Sequence, residues 1–293
     1  MRRSYSDKIF HMVNTAVIAL CLVLFLWPLW FVVIASISDP DLVNAGKVLL
    51  VPQGINFDGY KKMLEYTQIW VGYANSIFYT AVGTLCSMIF SICMAYPMSE
   101  KSFAPRKIFM IIFMISMYFG GGVIPTYLLL RSLHIVNTRL AMIIPGMISV
   151  YNCLIIRSYF MNSIPGELKE AATLDGANAA QYLVKVVMPL SKSVFAVVGL
   201  YYAVGYWNNY TKALYYIYKD ELMPLQMILR NLLIDSKMLN DLVSDPEYLE
   251  EALAQSQLMK YGVIIVAAIP MFIIYPFVQK HFVKGVMVGA VKG

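Results

Sequence analysis

The sequence predicts an all-α polytopic membrane protein that crosses the bilayer with six transmembrane helices. Its 293 residues are 59% hydrophobic and only 14% charged, a composition outside the range of ordinary soluble domains. The charges are also segregated and leave six windows without Asp, Glu, Lys or Arg. These windows are residues 12–38, 66–99, 108–130, 140–156, 193–211 and 261–279. Each one reaches the roughly 17–25 residues that a membrane-spanning helix needs, and helices are favoured because backbone polar groups in lipid must be satisfied within the segment.

The residues within and between the windows justify the individual spans. Span one carries Trp27 and Trp30 near its outer end, where aromatic side chains are common. Span two closes at Pro97, before a short charged turn. Span three contains Gly120–Gly122 and Pro125, which allow either close helix packing or a break, and we favour close packing. Spans four and five enclose a charged segment, and span six precedes a basic tail.

The positive charges predict the orientation of the spans. If both termini are cytoplasmic, the inner segments hold thirteen basic and five acidic residues, a net charge of +8. The outer segments then hold ten basic and twelve acidic residues, a net charge of −2, and the two faces together give the +6 of the chain. Because Lys and Arg concentrate in cytoplasmic loops, this split favours a multi-pass protein with both termini inside.

The charged segment between spans four and five is predicted to form two short helices. Ser163 and Pro165 are typical of a helix N-cap and first turn. Asp175-Gly176 is a turn signal, after which a second helix runs over Asn178–Val187 until Pro189 ends it. The alanines of the segment leave little bulk, so a groove of another protein can close over its backbone. An ordinary amphipathic helix on the membrane surface is the alternative.

Within this segment, Glu170-Ala171-Ala172, Gly176 and Met188-Pro189-Leu190 have the residue types and spacing of a known motif. The segment resembles the cytoplasmic Glu-Ala-Ala loop of bacterial ABC importer permeases, which docks into a cleft of the ATPase subunit. The resemblance implies that Glu170 pairs with a basic residue of the ATPase and that Gly176 breaks the helix. The ATPase-coupling residues that it implies are Glu170, Ala171, Ala172, Asp175, Gly176 and Ala177.

The resemblance runs from Val71 to the end of the chain and is nearest to the maltose-type carbohydrate permeases. Gly121–Tyr127 and the Tyr-Trp-Asn sequence at Trp207 are typical of the oligosaccharide and polysaccharide branch, and the chain is similar to the shorter permease of alginate-oligosaccharide importers. The resemblance implies a type I ABC importer permease fold. The implied organisation is a first helix and outer loop at 1–70, a five-helix core at 71–279 with the coupling loop at about 162–190, and a cytoplasmic tail at 280–293.

The tail carries a further implication of the same resemblance. In the maltose-type subunit that this chain resembles, a tail ending in Val-Lys-Gly inserts between the two ATPases. ATPase contacts are therefore expected for Val291, Lys292 and Gly293. A disordered basic end held near anionic lipid is the alternative.

Span five supplies the aromatic and amide groups that a sugar path requires. At 100° per residue, positions 202, 206, 209 and 210 share a broad face. Asparagines within a membrane are costly unless they face a cavity or another helix, and hydrogen bonding between helices is the alternative to a cavity. The candidate path residues are Tyr202, Tyr206, Trp207, Asn208, Asn209 and Tyr210.

The outer loop at about 212–260 is acidic, and Ser244–Glu247 predicts a capped helix within it. In related maltose-type importers the corresponding loop reaches into the external solute-binding protein. We therefore expect this loop to dock such a protein.

Several kinds of chemistry are excluded by the sequence. It contains no G-x-x-x-x-G-K-[ST] phosphate loop and no C-x-x-C or zinc-type His pair. We predict no catalytic residue, no metal site and no cofactor in this chain, which is therefore not an enzyme; ATP and Mg are expected on a partner ATPase.

The predicted function is that of a permease subunit of an ATP-driven importer in the bacterial plasma membrane. It moves oligosaccharides by alternating access, with acidic, alginate-like sugars as the finer expectation. The expected partners are a second permease in a heterodimer, two ATPase subunits, an external solute-binding protein and the lipid bilayer, without nucleic acid. A secondary transporter is the alternative, but the chain shows no internal repeat and its windows lack ionisable acidic or basic residues.

Overall fold

A computed structural model describes residues 5–232, 259–276 and 279, and over these ranges the chain is helical without a β-strand. The helices are α1 (Tyr5–Ser36), α2 (Pro40–Asn44), α3 (Asp58–Glu65), α4 (Thr67–Ser99), α5 (Arg106–Tyr118), α6 (Val123–Ser132), α7 (Arg139–Ile143), α8 (Val150–Ser163), α9 (Glu167–Leu174), α10 (Ala179–Leu190), α11 (Lys192–Trp207), α12 (Thr211–Tyr216), α13 (225–232) and α14 (Met259–Pro276). The predicted all-α class is confirmed.

The chain divides into two compact units, the first formed by residues 1–67 and 229–269 and the second by residues 68–228 and 270–293. In the first unit, the end of α1 packs on the loop that follows it. Ile34 and Val48 are fully buried there. The Tyr60 hydroxyl donates to the Ser36 Oγ atom at 2.9 Å, which fixes α3 against the end of α1.

One buried core of the second unit is formed by side chains of α4, α8, α10 and α11. Small residues recur every four positions on the buried side of α4, at Gly83, Ser87, Ser91 and Ala95. This spacing forms one stripe along a helix and lets another helix approach closely. The Tyr206 hydroxyl lies 3.1 Å from the Ser87 Oγ atom, and the Tyr202 hydroxyl lies 2.7 Å from that of Ser91. Two tyrosines of α11 are thus held by two serines of α4.

The N-terminal part of α4 holds the segment that follows α12. The Asn75 side-chain amide donates to the carbonyls of Glu221 and Met223 at 2.7 and 3.1 Å. The Tyr79 hydroxyl donates to the Leu222 carbonyl at 2.8 Å. These bonds satisfy backbone carbonyls that would otherwise be orphaned and order this segment.

The six charge-free windows fall on helices of different kinds. Of the described helices, three are uninterrupted and long and apolar enough to cross a membrane: residues 7–36, α4 and α14. Two more candidates are bent pairs, α5 with α6 at 115° and α10 with α11 at 83°. In the fourth window, α8 has 14 residues, which gives about 21 Å at 1.5 Å per residue, less than the ~30 Å of a hydrocarbon core.

The prediction of close packing at Gly120–Gly122 is wrong for this subunit, because the glycines break the helix instead. α5 ends at Tyr118, and α6 begins at Val123 after Gly122 has taken a φ of 82°. A Cβ atom added at Gly120 or Gly122 would meet no atom within 4 Å. Glycine serves here for its backbone freedom rather than for its lack of bulk.

The fourth window also begins differently from the prediction. α7 ends at Ile143, and the chain is non-helical until Ser149, whose hydroxyl caps α8 by accepting from the Asn152 N–H. The cause is Pro145-Gly146, a turn pair in which Gly146 adopts a φ of 73°.

We expect Gly83→Ala to destabilise the packing of α4 on α11. The added Cβ atom would lie 2.6 Å from the Tyr206 Cζ atom, and overpacking of this kind costs about 1–3 kcal/mol. The measurement is the midpoint of thermal unfolding of the solubilised complex. Gly199→Ala in α11 is the matched control, because its Cβ atom meets no atom within 4 Å. Equal midpoints for both variants would contradict the packing described here.

Candidate functional site

The chain after α8 forms a helix, α9, then a tight turn and a second helix, α10, as predicted. α9 ends at Leu174 with Asp175 as its C-cap, and Gly176 takes a φ of 75°, a conformation that glycine adopts without strain. Asn178 caps α10 through a capping box with Gln181, in which each side chain accepts from the other residue's N–H at 2.9 Å. Local residues therefore determine this turn almost completely.

Two details of the segment differ from the prediction. Ser163 is the last residue of α8 and not the N-cap of the next helix, which follows Gly166. Pro189 does not end α10, which continues to Leu190 before the chain bends at Ser191. The proline is tolerated because Leu183–Val187 forms a π turn, so the ladder is already widened where the ring would meet the Lys185 carbonyl.

The predicted coupling residues lie on an accessible surface. Ala172 and Ala177 are partly buried, and the other four are exposed: Glu170, Ala171, Asp175 and Gly176. Leu174, which the motif did not single out, is 89% exposed at the end of α9. An exposed leucine beside small residues suits insertion into a partner's groove.

This helix–turn–helix segment, residues 167–190, is attached to the end of α4. Lys169 forms an ion pair with Glu100, and the Tyr96 hydroxyl donates to the Ala179 carbonyl at 3.2 Å. From α8, the Arg157 Nε atom donates to the Met98 carbonyl at 2.9 Å. A movement of the segment would therefore be transmitted directly to the end of the long span α4. Sequence reasoning missed Glu100 and Lys169 because the partners are 69 residues apart.

A second candidate site is an open cleft of about 450 Å³. It forms where the glycine break between α5 and α6 meets the end of α11 and the start of α12. Non-helical backbone within a membrane region is tolerated where it lines a cavity or is buried in protein. The lining residues are Gly122, Val123, Gly205, Asn208, Asn209, Thr211, Lys212, Tyr215 and Tyr216.

The candidate path residues fall into two groups. Tyr202, Tyr206 and Trp207 are buried within the subunit, whereas Asn208 and Asn209 line the cleft. The Tyr206 hydroxyl donates to the Ile143 carbonyl at 3.0 Å, so its polar atom is used inside the protein.

The predicted shared face of positions 202, 206, 209 and 210 is wrong. α11 ends at Trp207, so Asn209 and exposed Tyr210 lie outside helical geometry. The rotation of 100° per residue holds only within a helix, so it does not place Asn209 and Tyr210 on the face of Tyr202 and Tyr206.

Lys212 is a cleft residue that sequence reasoning overlooked. Its Nζ atom lies 4.9 Å from the centre of the Tyr206 ring and donates to the Met142 carbonyl at 3.4 Å. Burial lowers the pKa of Lys212 to about 8, because desolvation disfavours the charged form. The signal was present as a lysine two residues after the aromatic and amide side chains of residues 206–210.

Two predicted sites lie outside the described residues. They are the tail residues Val291, Lys292 and Gly293, and the helix predicted at Ser244–Glu247. Among the described residues, no group of three or more His, Cys, Asp or Glu side chains is arranged to hold a metal ion.

Apolar spans, an exposed helix–turn–helix segment attached to the end of one span and a polar cleft define a membrane permease. The chain belongs to the family of binding-protein-dependent transport system inner membrane components, which matches residues 69–288. It is an ABC importer permease of the inner membrane, and the prediction from the Glu-Ala-Ala motif is confirmed. The alternative of a secondary transporter is wrong. Permease subunits of this family are not themselves enzymes.

Two curated relatives are similar over nearly their whole length. The polygalacturonan/rhamnogalacturonan transport system permease protein YtcP of Bacillus subtilis (strain 168) is 34% identical over 287 residues, which cover 98% of this chain and 99% of the relative. The arabinooligosaccharides transport system permease protein AraQ of Halalkalibacterium halodurans is 25% identical over 272 residues, 91% of each chain.

A solved structure has the same fold. It is a chain of a bacterial ABC transporter involved in the import of the acidic polysaccharide alginate. The two chains superpose with a TM-score of 0.87 and are 33% identical, and the match covers 96% of this chain and 99% of the other. The predicted type I permease fold is confirmed.

Proposed function

We propose that this permease subunit imports oligosaccharides, and acidic oligosaccharides in particular, by alternating access. The observation that carries the proposal is the cleft, in which two side-chain amides, aromatic rings and one ammonium group converge. Sugars are bound by such combinations of hydrogen-bonding groups and flat apolar faces. The names of similar proteins support it, since they include a polygalacturonan/rhamnogalacturonan transport system permease and an ABC transporter involved in the import of the acidic polysaccharide alginate.

The proposed partners follow from the surfaces of the subunit. An ATPase dimer would bind the helix–turn–helix segment and supply ATP and Mg, which this chain has no motif to hold. A second permease would cover the apolar helices, and an external solute-binding protein would deliver the sugar to the acidic outer loop. Only 6% of the residues in the most apolar part of α1 are buried, which leaves this helix available to lipid or to the second permease.

The proposed orientation places both termini in the cytoplasm. It is supported within the second unit, where the segments predicted to be inner meet at one end of α4, through Glu100 and Lys169. Toward the other end of α4, Asn75 binds the carbonyl of Glu221, which belongs to a segment predicted to be outer. In this arrangement Glu170, Gly176 and the C-terminal Val291–Gly293 would face the ATPases. The proposed domain limits remain 1–70, 71–279 and 280–293.

The test is uptake into vesicles that contain the complete complex, with ATP on the cytoplasmic side and the loaded binding protein on the other. We expect import of acidic oligosaccharides, measured against neutral oligosaccharides of the same length. Uptake without ATP would contradict the importer mechanism, and uptake of neutral sugars alone would contradict the acidic substrate class.

A further inference from the structure

The cleft contains one cation whose charge the described residues leave uncompensated. Lys212 lies on the first turn of α12, and an ammonium group has three N–H donors. Among the contacts described, the Nζ atom has one hydrogen bond, to the Met142 carbonyl at the long distance of 3.4 Å. The ring of Tyr206 at 4.9 Å provides a weak cation–π contact.

Within the described part of the chain, no carboxylate forms an ion pair with Lys212. The ion pairs there are Lys61 with Asp58 and Lys169 with Glu100. A partly buried ammonium without a paired anion is costly. A site that keeps such a group in a cleft therefore suits an anion that arrives from outside the subunit.

The rest of the cleft indicates what carries that anion. Asn208 and Asn209 supply amides, Tyr215 supplies an aromatic ring, and Gly122 leaves the backbone open because it has no side chain. At about 450 Å³ the cleft is within the usual range of ligand sites, roughly 300–1,000 Å³. Amides and a ring next to an ammonium fit a uronate unit, whose hydroxyls, flat carbon face and carboxylate need these three kinds of group.

We propose that Lys212 is the charge-recognising contact of this subunit for the carboxylate of an acidic oligosaccharide in the cleft. The inference rests on the proposed function and adds to it the residue that reads the charge. The long, flexible lysine stem can turn from the Met142 carbonyl toward a sugar without movement of the backbone. An acidic residue of the second permease is the competing anion, but it would not need the amides that surround the ammonium.

The experiment compares Lys212→Met, Lys212→Arg and wild-type complexes in vesicles, at saturating concentrations of binding protein loaded with an oligogalacturonate. Loss of one charge-assisted contact should lower the uptake rate of Lys212→Met by about 10- to 100-fold. Lys212→Arg keeps the charge and should recover most of the uptake. Lys219→Met removes an exposed lysine of the same outer segment and serves as the control. Complex assembly should be unchanged in all variants, and basal ATP hydrolysis should be unchanged in the control Lys219→Met.

Three outcomes separate the possibilities. Wild-type uptake by Lys212→Met would overturn the inference. Loss of assembly or of basal ATP hydrolysis in that variant would overturn it as well, and would place Lys212 in the contact with the second permease. If wild-type vesicles import neutral but not acidic oligosaccharides, the proposed function itself fails before any variant is compared.

Discussion

Replacement of Gly176 by proline is expected to reduce ATP hydrolysis stimulated by the loaded binding protein to its unstimulated level. Gly176 has a φ of 75°, whereas proline is restricted to a φ near −65°. Proline would also remove the N–H that donates to the Thr173 carbonyl at 3.0 Å. The turn between α9 and α10 would therefore open, and the surface proposed to contact the ATPase would lose its shape.

The matched control is Gly176→Asn. Asparagine tolerates the left-handed conformation better than other non-glycine residues, and its Cβ atom would meet nothing within 4 Å. We expect this variant to keep most of the stimulated hydrolysis. Equal activity of the proline and asparagine variants would show that the shape of this turn does not matter for coupling.

In the same segment, Glu170→Lys tests the charge proposed to contact the ATPase. Reversal of a paired charge should lower the stimulated hydrolysis about tenfold or more. Glu167→Lys is the comparison, because Glu167 is also exposed and also lies in the first turn of α9. Its reversal should have little effect. Similar losses in both variants would point to general repulsion rather than to a specific partner of Glu170.

Reversal of the ion pair between Lys169 and Glu100 is expected to separate ATP hydrolysis from transport. The Glu100 side chain is 19% exposed and that of Lys169 is 43% exposed, so the pair lies between the fully exposed and the buried case. Lys169→Glu would place two carboxylates together and cost about 1–2 kcal/mol. The segment would loosen from the end of α4, and less sugar would be imported for each ATP hydrolysed.

The double variant Glu100→Lys with Lys169→Glu restores opposite charges with the positions exchanged. We expect it to recover part of the lost ratio of imported sugar to hydrolysed ATP, measured in the same vesicles. A ratio that stays at the wild-type value in Lys169→Glu would contradict a coupling role for this contact. If the ratio in the double variant is as low as in Lys169→Glu, the role of this contact depends on its geometry and not on its charges.

The helix–turn–helix segment shows how much of a local structure can be predicted from neighbouring residues. The turn at Gly176 and the cap at Asn178 were predictable because each depends on residues within a few positions: a glycine at a positive φ, and a capping box between Asn178 and Gln181. Pro189 misled the prediction because its effect depends on the π turn before it, which no residue pattern in the segment specified.

The long spans were equally predictable from the sequence, because a run of apolar residues must be helical in lipid whatever surrounds it. The window at 66–99 and α4 at Thr67–Ser99 differ by one residue at the start. The small-residue stripe of Gly83, Ser87, Ser91 and Ala95 could also have been found, since its period of four is visible in the sequence. The glycine break in span three could not be separated from close packing, because both use glycine.

The sequence by itself determined the helical class, the long spans and the turn at Gly176, since these depend on composition and on short-range spacing, and the family was predicted from the resemblance of the Glu-Ala-Ala segment to a known motif. Only the tertiary structure decided that Glu100 meets Lys169, that Tyr202 and Tyr206 are used inside the protein, and that Lys212 shares a cleft with the broken third span. These contacts join residues tens of positions apart. Their partners are selected by the packing of helices against one another, which no local pattern encodes.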